Sequence, residues 1–143
     1  MPRSLGPLVG AIDQGTSSTR FLIFSARSQE LITYHQVELA KIYPAEGWVE
    51  QDPQQIIDSV RKTMAEVAVK LKALDIDLAD VKSIGICNQR ESCITWDPET
   101  GKPYYNSIVW LDNRTTGIVD QFLDSIPGRD INFHKVCVKG MSD

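Results

Sequence analysis

Between positions 53 and 74, apolar residues return once per helical turn, and this limits what the chain can become more than any other stretch. Ile56, Ile57, Val60, Met64, Val67, Ala68, Leu71 and Leu74 fall on one side, at the ~3.6-residue period of an amphipathic helix. Asp58, Arg61, Lys62, Glu66 and Lys70 mark out the wetter face. Asp52 stands at the N-cap position, Pro53 suits the first helical position, and Gln55 sits where a box-like cap places its third residue. A helix with one apolar stripe needs a surface to lie on.

The flanking sequence supplies strands. "LVGAI" at 8–12 and "RFLIFS" at 20–25 are short apolar runs, and "LITYHQVEL" at 31–39 alternates apolar with polar residues. "DQGTSST" joins the first two, with Gly15 free to take a turn conformation. "ARSQE" is a polar hairpin turn, and residues 40–53 read as a loop from their Pro and Gly content. Beyond the helix, "VKSIGIC" at 81–87 is a strand, "CITWD" and "SIVW" are shorter ones, and "PETGK" is a turn. A second helix is expected from about Asp112, with Ile118, Val119, Phe122, Leu123 and Ile126 on one side and Pro127-Gly128 as its stop. The order β-β-β-α-β predicts an α/β fold: a mixed β-sheet with flanking helices. Residues 1–7 read as an N-terminal arm, 8–128 as the folded body and 129–143 as a divergent tail.

Composition narrows the function. The 143 residues carry a net charge of −4, and no basic stripe offers a surface for nucleic acid. No apolar stretch approaches the ~20 residues of a bilayer span. "MPRSLGPLVG" lacks the cleavage pattern of a leader, so a cytoplasmic setting is expected. Cys87, Cys93 and Cys137 show no paired spacing, and His35 and His134 stand apart from them, which argues against zinc or disulfides.

Polar residues gather after strand ends, where α/β sheets bind ligands. At the first hairpin tip, main-chain N–H groups and the hydroxyls of Thr16, Ser17 and Ser18 could cradle an anion. Asp13 could hold a magnesium ion there, and Arg20 could meet a phosphate. Ordinary turn chemistry explains the same residues. Arg90 and Glu91 in "NQRES" could grip a polyol or form a solvated pair. Trp110 could wall a ligand's carbon backbone or belong to the core. Arg114 reads equally as a ligand contact or a surface residue.

Taken together, "GAIDQGTSSTRFLIF", "YPAEGWVEQDP", "IGICNQRESCITWDPETGKPYYNSIVWLDNRT" and "IPG" carry a resemblance over roughly 6–128. The sequence resembles the glycerol kinases, carbohydrate kinases that share the ribonuclease H-like fold of actin, hexokinase and the heat-shock chaperone ATPases. The resemblance implies an incomplete N-terminal kinase domain of an enzyme that converts ATP and glycerol to ADP and glycerol 3-phosphate. It implies ATP-phosphate contacts from Asp13, Thr16, Ser17, Ser18 and Arg20, with Asp13 beside Mg²⁺. It also implies glycerol contacts from Thr16, Arg90, Glu91 and Trp110.

Ser92 and Cys93 depart from the family's usual threonines, and the pattern fades after Gly128. The general base and the adenine pocket are expected outside this chain, so no catalytic residue is assigned within it and the chain alone is expected to be inactive. The full enzyme is expected to be a homo-oligomer. Two other readings remain: a non-catalytic module that docks on intact kinase, and a piece of a related sugar kinase acting on a longer polyol.

Overall fold

The structure is a computed structural model, and it describes residues 6–129. Three strands, β1 (Leu8–Gln14), β2 (Ser18–Ser25) and β3 (Leu31–Glu38), form an antiparallel meander. The two-residue β4 (Glu50–Gln51) follows, then helix α1 (Pro53–Ala73) and strand β5 (Val81–Asn88). Last come β6 (Ser107–Ile108) and helix α2 (Thr116–Asp124). The main sheet has the order β3-β2-β1-β5, with β5 parallel to β1. It is therefore the mixed sheet that the element order predicts. β4 and β6 pair separately as an antiparallel ladder.

Parallel pairing of β1 with β5 has a direct consequence for the site. Gln14 stands in register with Asn88, so the first hairpin tip and the loop after β5 emerge at the same end of the sheet. Ligand-binding loops of α/β sheets occupy that end.

Helix α1 lies over β2 and β3. Its buried stripe is Ile56, Ser59, Thr63, Val67 and Leu71, and the core beneath it comprises Leu8, Ile12, Phe21, Ile23, Val67, Leu71 and Ile76. Ser59 and Thr63 replace two residues of the expected apolar stripe, because Ile57 and Leu74 are exposed. Both hydroxyls donate to carbonyls one turn back, Ile56 O at 2.7 Å and Val60 O at 2.9 Å, and Ser59 Oγ also meets Thr19 Oγ1 at 2.7 Å. Satisfied in this way, they are buried without an orphaned polar group.

The helix start is as expected at Asp52, whose carboxylate accepts from Gln54 N at 2.8 Å. Gln55 does not complete the cap. Its Oε1 accepts instead from Ala40 N at 3.1 Å and ties the preceding loop to the helix.

Four other expectations need correction. Residues 40–53 contain β4, and Glu50 and Gln51 are both buried; a polar pair has no apolar alternation by which to announce itself. "CITWD" makes only isolated bridges, Cys93 to Ile108 and Trp96 to Pro103, and "SIVW" contributes only Ser107 and Ile108 to a strand. Helix α2 begins at Thr116, not near Asp112; the intervening residues form a turn in which Asp112 N–H donates to Val109 O and Thr116 N–H to Asn113 O, while the Asp112 carboxylate accepts from Val49 N and Arg114.

Of the expected apolar side of α2, only Ile126, just beyond its end, is buried; Ile118, Val119 and Phe122 remain exposed among the described residues. Helix α2 already ends at Asp124 with Ser125 as its cap, so the expected stop at Pro127-Gly128 falls late; Gly128 takes a left-handed φ of 68° in the separate short turn that follows. Cys87 and Cys93 are free and exposed. Cys137, His134, positions 1–5 of the arm and positions 130–143 of the tail lie outside the described residues. No described helix is long and apolar enough to cross a membrane.

Candidate functional site

The β1–β2 hairpin closes through Gly15 N, which donates to Ser18 O at 2.9 Å. That leaves Thr16 and Ser17 at the tip, where their main-chain N–H groups have no protein acceptor among the described residues. Such a tight turn presents its amides outward, as an anion site requires. Ser17 Oγ also accepts from Lys41 Nζ at 3.4 Å. This second cation at the tip comes from the 40–53 loop, where nothing in the sequence distinguishes it.

Asp13 and Arg20 are cross-strand partners on β1 and β2. Arg20 lies 3.6 Å from the Asp13 carboxylate and donates to Gln36 Oε1 at 2.9 Å. Both side chains are about half exposed, so the pair is open to a ligand and weak as a source of stability. Asp13 is a single carboxylate, and no group of three potential metal-ligating side chains occurs among the described residues. One carboxylate suits Mg²⁺, which keeps several waters and takes its remaining ligands from phosphates.

Trp110 reaches back to this turn. Its indole Nε1–H donates to Thr16 Oγ1 at 2.9 Å, and its main-chain N–H donates to Ser92 Oγ at 3.2 Å. Trp110 is half exposed and is not a core residue. Ser92 in turn donates to Gln89 Oε1 at 2.8 Å. The structure therefore brings Thr16, Ser92 and Trp110 together.

Arg90 and Glu91 flank that contact with exposed side chains. Neither has a hydrogen bond or ion-pair partner among the described residues. Glu91 holds a left-handed φ of 64°, uncommon for a residue with a Cβ. A cleft of about 480 Å³ opens between α1 and β5, lined in part by Ile57, Ile86, Gln89 and Ser92. Arg90, Glu91 and Trp110 do not line it.

Behind the loop that carries Trp110 lies an ionic cluster. Arg114 donates to Glu50 Oε1 at 2.7 Å and to Asp112 Oδ2 at 2.7 Å, with its guanidinium 3.9 Å from the ring centre of Trp48. Glu50 also accepts from Tyr105 Oη and Asn106 Nδ2, each at 2.8 Å. The Asn106 amide first, then Arg114 and Tyr105, hold the Glu50 carboxyl below its ordinary range against the effect of burial. Arg114 likewise holds Asp112 well below the usual carboxylate range, and the Asp112 partnership raises Arg114. Arg114 is thus not a surface residue; it is the centre of a buried network that pins β4 to the chain just after Trp110.

Residues 8–136 match the FGGY family of carbohydrate kinases, N-terminal domain. Over 114 residues, 80% of this chain, the sequence is 51% identical to a probable glycerol kinase of Caenorhabditis elegans and covers 23% of that protein. It is 46% identical to glycerol kinase 3 of Streptomyces avermitilis, again over 80% of this chain and covering 22% of the relative. Among solved structures, Plasmodium falciparum glycerol kinase with ADP superimposes with a TM-score of 0.80 at 33% identity, over 89% of this chain and 25% of that one. The fold is that of xylulose kinase from Lactobacillus acidophilus as well, with a TM-score of 0.70 at 23% identity, over 80% of this chain and 22% of that one. The chain spans about a quarter of the length of these relatives. It belongs to the FGGY family of carbohydrate kinases and corresponds to their N-terminal domain.

Proposed function

We propose that this chain forms the phosphate-facing and polyol-facing part of a glycerol kinase, which transfers the γ-phosphoryl group of ATP to a terminal hydroxyl of glycerol. One observation carries the reading: Trp110 donates to Thr16 at 2.9 Å, so the candidate polyol wall and the candidate phosphate turn touch at a single residue. Thr16 Oγ1 accepts the indole N–H and keeps its own proton free for a ligand oxygen. The names of the relatives supply the substrate.

The roles follow from chemistry. Phosphoryl transfer forms a bond between glycerol oxygen and the γ-phosphorus and breaks the bond to the bridging oxygen of ADP. It needs positioning and neutralisation of spread charge more than covalent help. The turn amides with Thr16, Ser17 and Ser18 contact phosphate oxygens, and Arg20 adds positive charge. Asp13 would hold magnesium, which would neutralise part of the phosphate charge. Arg90 and Glu91 donate to and accept from the triol hydroxyls, while Trp110 covers its carbons. The hydroxyl proton passes to a general base, which is expected outside this chain.

Saturation-transfer NMR on the 143-residue chain with glycerol, xylulose and gluconate tests the reading. Glycerol is expected to respond, and Trp110→Ala and Arg90→Ala are each expected to abolish that response. A stronger response to xylulose or gluconate, or none to any polyol, overturns the assignment to glycerol.

A further inference from the structure

Two chains of hydrogen bonds leave Trp110 and both end on Thr16. The short one is the indole bond to Thr16 Oγ1 at 2.9 Å. The long one runs from Trp110 N–H to Ser92 Oγ at 3.2 Å, and from the Ser92 hydroxyl to Gln89 Oε1 at 2.8 Å. It continues from Gln89 Nε2 to Gln51 Oε1 at 3.0 Å, and from Gln51 Nε2 to the Thr16 carbonyl at 2.8 Å. The ring is closed. It unites four stretches of chain: the hairpin tip, β4, the loop after β5, and the tryptophan that follows β6.

Every member has only one consistent orientation. The Thr16 carbonyl can only accept, so Gln51 must present its NH₂ there and its oxygen to Gln89. Gln89 must then present its own oxygen to the Ser92 hydroxyl. Gln51 is fully buried, where an unpaired amide is costly, so the orientation is held firmly. Gln89 makes a further, longer bond to Gln14 Oε1 at 3.4 Å, and Gln14 Nε2 donates to Gly15 O at 2.8 Å, which braces the same tip from the other side.

We propose that Gln51 and Gln89 are positioning residues, fixing the phosphate turn against the Trp110 wall so that the two half-sites hold one relative geometry. The inference rests on the reading of Trp110 as the polyol wall, but the ring itself can be tested apart from it. Neither glutamine is asked to touch substrate. Their effect passes through Thr16 and Ser92 to Trp110, and a shift of one ångström between reacting groups is enough to matter in such a site.

The experiment uses the 143-residue chain labelled with ¹⁵N-tryptophan, and reads the hydrogen-exchange rate of each indole together with the saturation-transfer response to glycerol. Trp48 and Trp96, outside the ring, act as internal references. Gln51→Met and Gln89→Met keep the side-chain length and remove the amide; Ser92→Ala breaks the ring at a less buried member. Each is expected to speed exchange at Trp110 by about tenfold, with the reference indoles unchanged and the glycerol response reduced. Because Gln51→Met risks the fold, the folded members of the set decide. If they leave Trp110 exchange within twofold of the parent, or speed all three indoles equally, the positioning role is wrong. If exchange at Trp110 responds as expected but the unsubstituted chain shows no glycerol response, the ring stands and the polyol reading falls.

Discussion

Arg114 and Glu50 lie 64 residues apart in sequence, yet their charged groups meet at 2.7 Å in a site where Glu50 is 1% exposed. The guanidinium serves two carboxylates at once and stacks on Trp48. A planar fork can do all three things; a point charge cannot. Arg114→Met is therefore expected to lower the thermal midpoint, because two carboxylates are left without their cation. Arg114→Lys is expected to melt nearer to Arg114→Met than to the parent chain. Recovery of the parent midpoint by lysine would show that charge alone suffices there.

Stability should fall in acid. The carboxyls of Glu50, Asp112 and Asp97 are all held below their ordinary values of 4.5, 3.8 and 3.8 in the folded chain. In Asp97 the cause is the main-chain N–H groups of Glu99 and then Thr100. A depressed carboxyl contributes stability that is present above its unfolded value and is lost as pH falls toward its folded value. Thermal midpoints should thus hold steady from pH 7 to about pH 5 and decline through pH 4 and 3. A midpoint that stays level down to pH 3 contradicts the assignment.

Trp110 offers a graded test of the site. Trp110→Phe keeps an aromatic wall but loses the bond to Thr16, and is expected to weaken the glycerol response about fivefold. Trp110→Ala removes the wall and should abolish it. Equal responses from the two variants would mean that the indole N–H contributes everything and the ring face nothing.

Gly10 is packed closely against the neighbouring strands. A Cβ there would meet ring carbons of Phe21 at 2.9 Å and Ile84 at 3.1 Å. Phe21 belongs to the core, so making room for a methyl moves a packed ring, and Gly10→Ala should cost about 1–3 kcal/mol in a urea titration. An unchanged midpoint would show that the Phe21 ring has room to move.

At the start of α1, Asp52→Ala removes the acceptor for Gln54 N and is expected to cost about 1 kcal/mol. Asp52→Asn retains an acceptor and should lose far less. The same titration distinguishes them.

The main helix, the three-strand meander and the strand after the helix are legible from residue order because each has a local signature. Apolar residues of α1 recur once per turn, and those of β1 and β2 form short unbroken runs closed by turn residues. The hairpin tip with Thr16 and Ser17 is legible for the same reason, since Gly15 and the hydroxyls are themselves turn chemistry. β4 is not. Glu50 and Gln51 look like loop residues, and only their partners bury them.

What residue order by itself determined, then, is the succession of elements, the family resemblance carried by long motifs, and a set of candidate polar residues at strand ends. The tertiary structure alone decided which of those residues meet. Parallel register between β1 and β5 sets Gln14 beside Asn88, the separate β4–β6 ladder pairs Gln51 with the stretch leading to Trp110, and where the two meet Gln89 reaches Gln51 while Trp110 reaches Thr16. Hydrogen bonds spanning 38 and 94 residues have no periodic trace in a sequence, because the spacing along the chain is irrelevant once the sheet has brought the ends together.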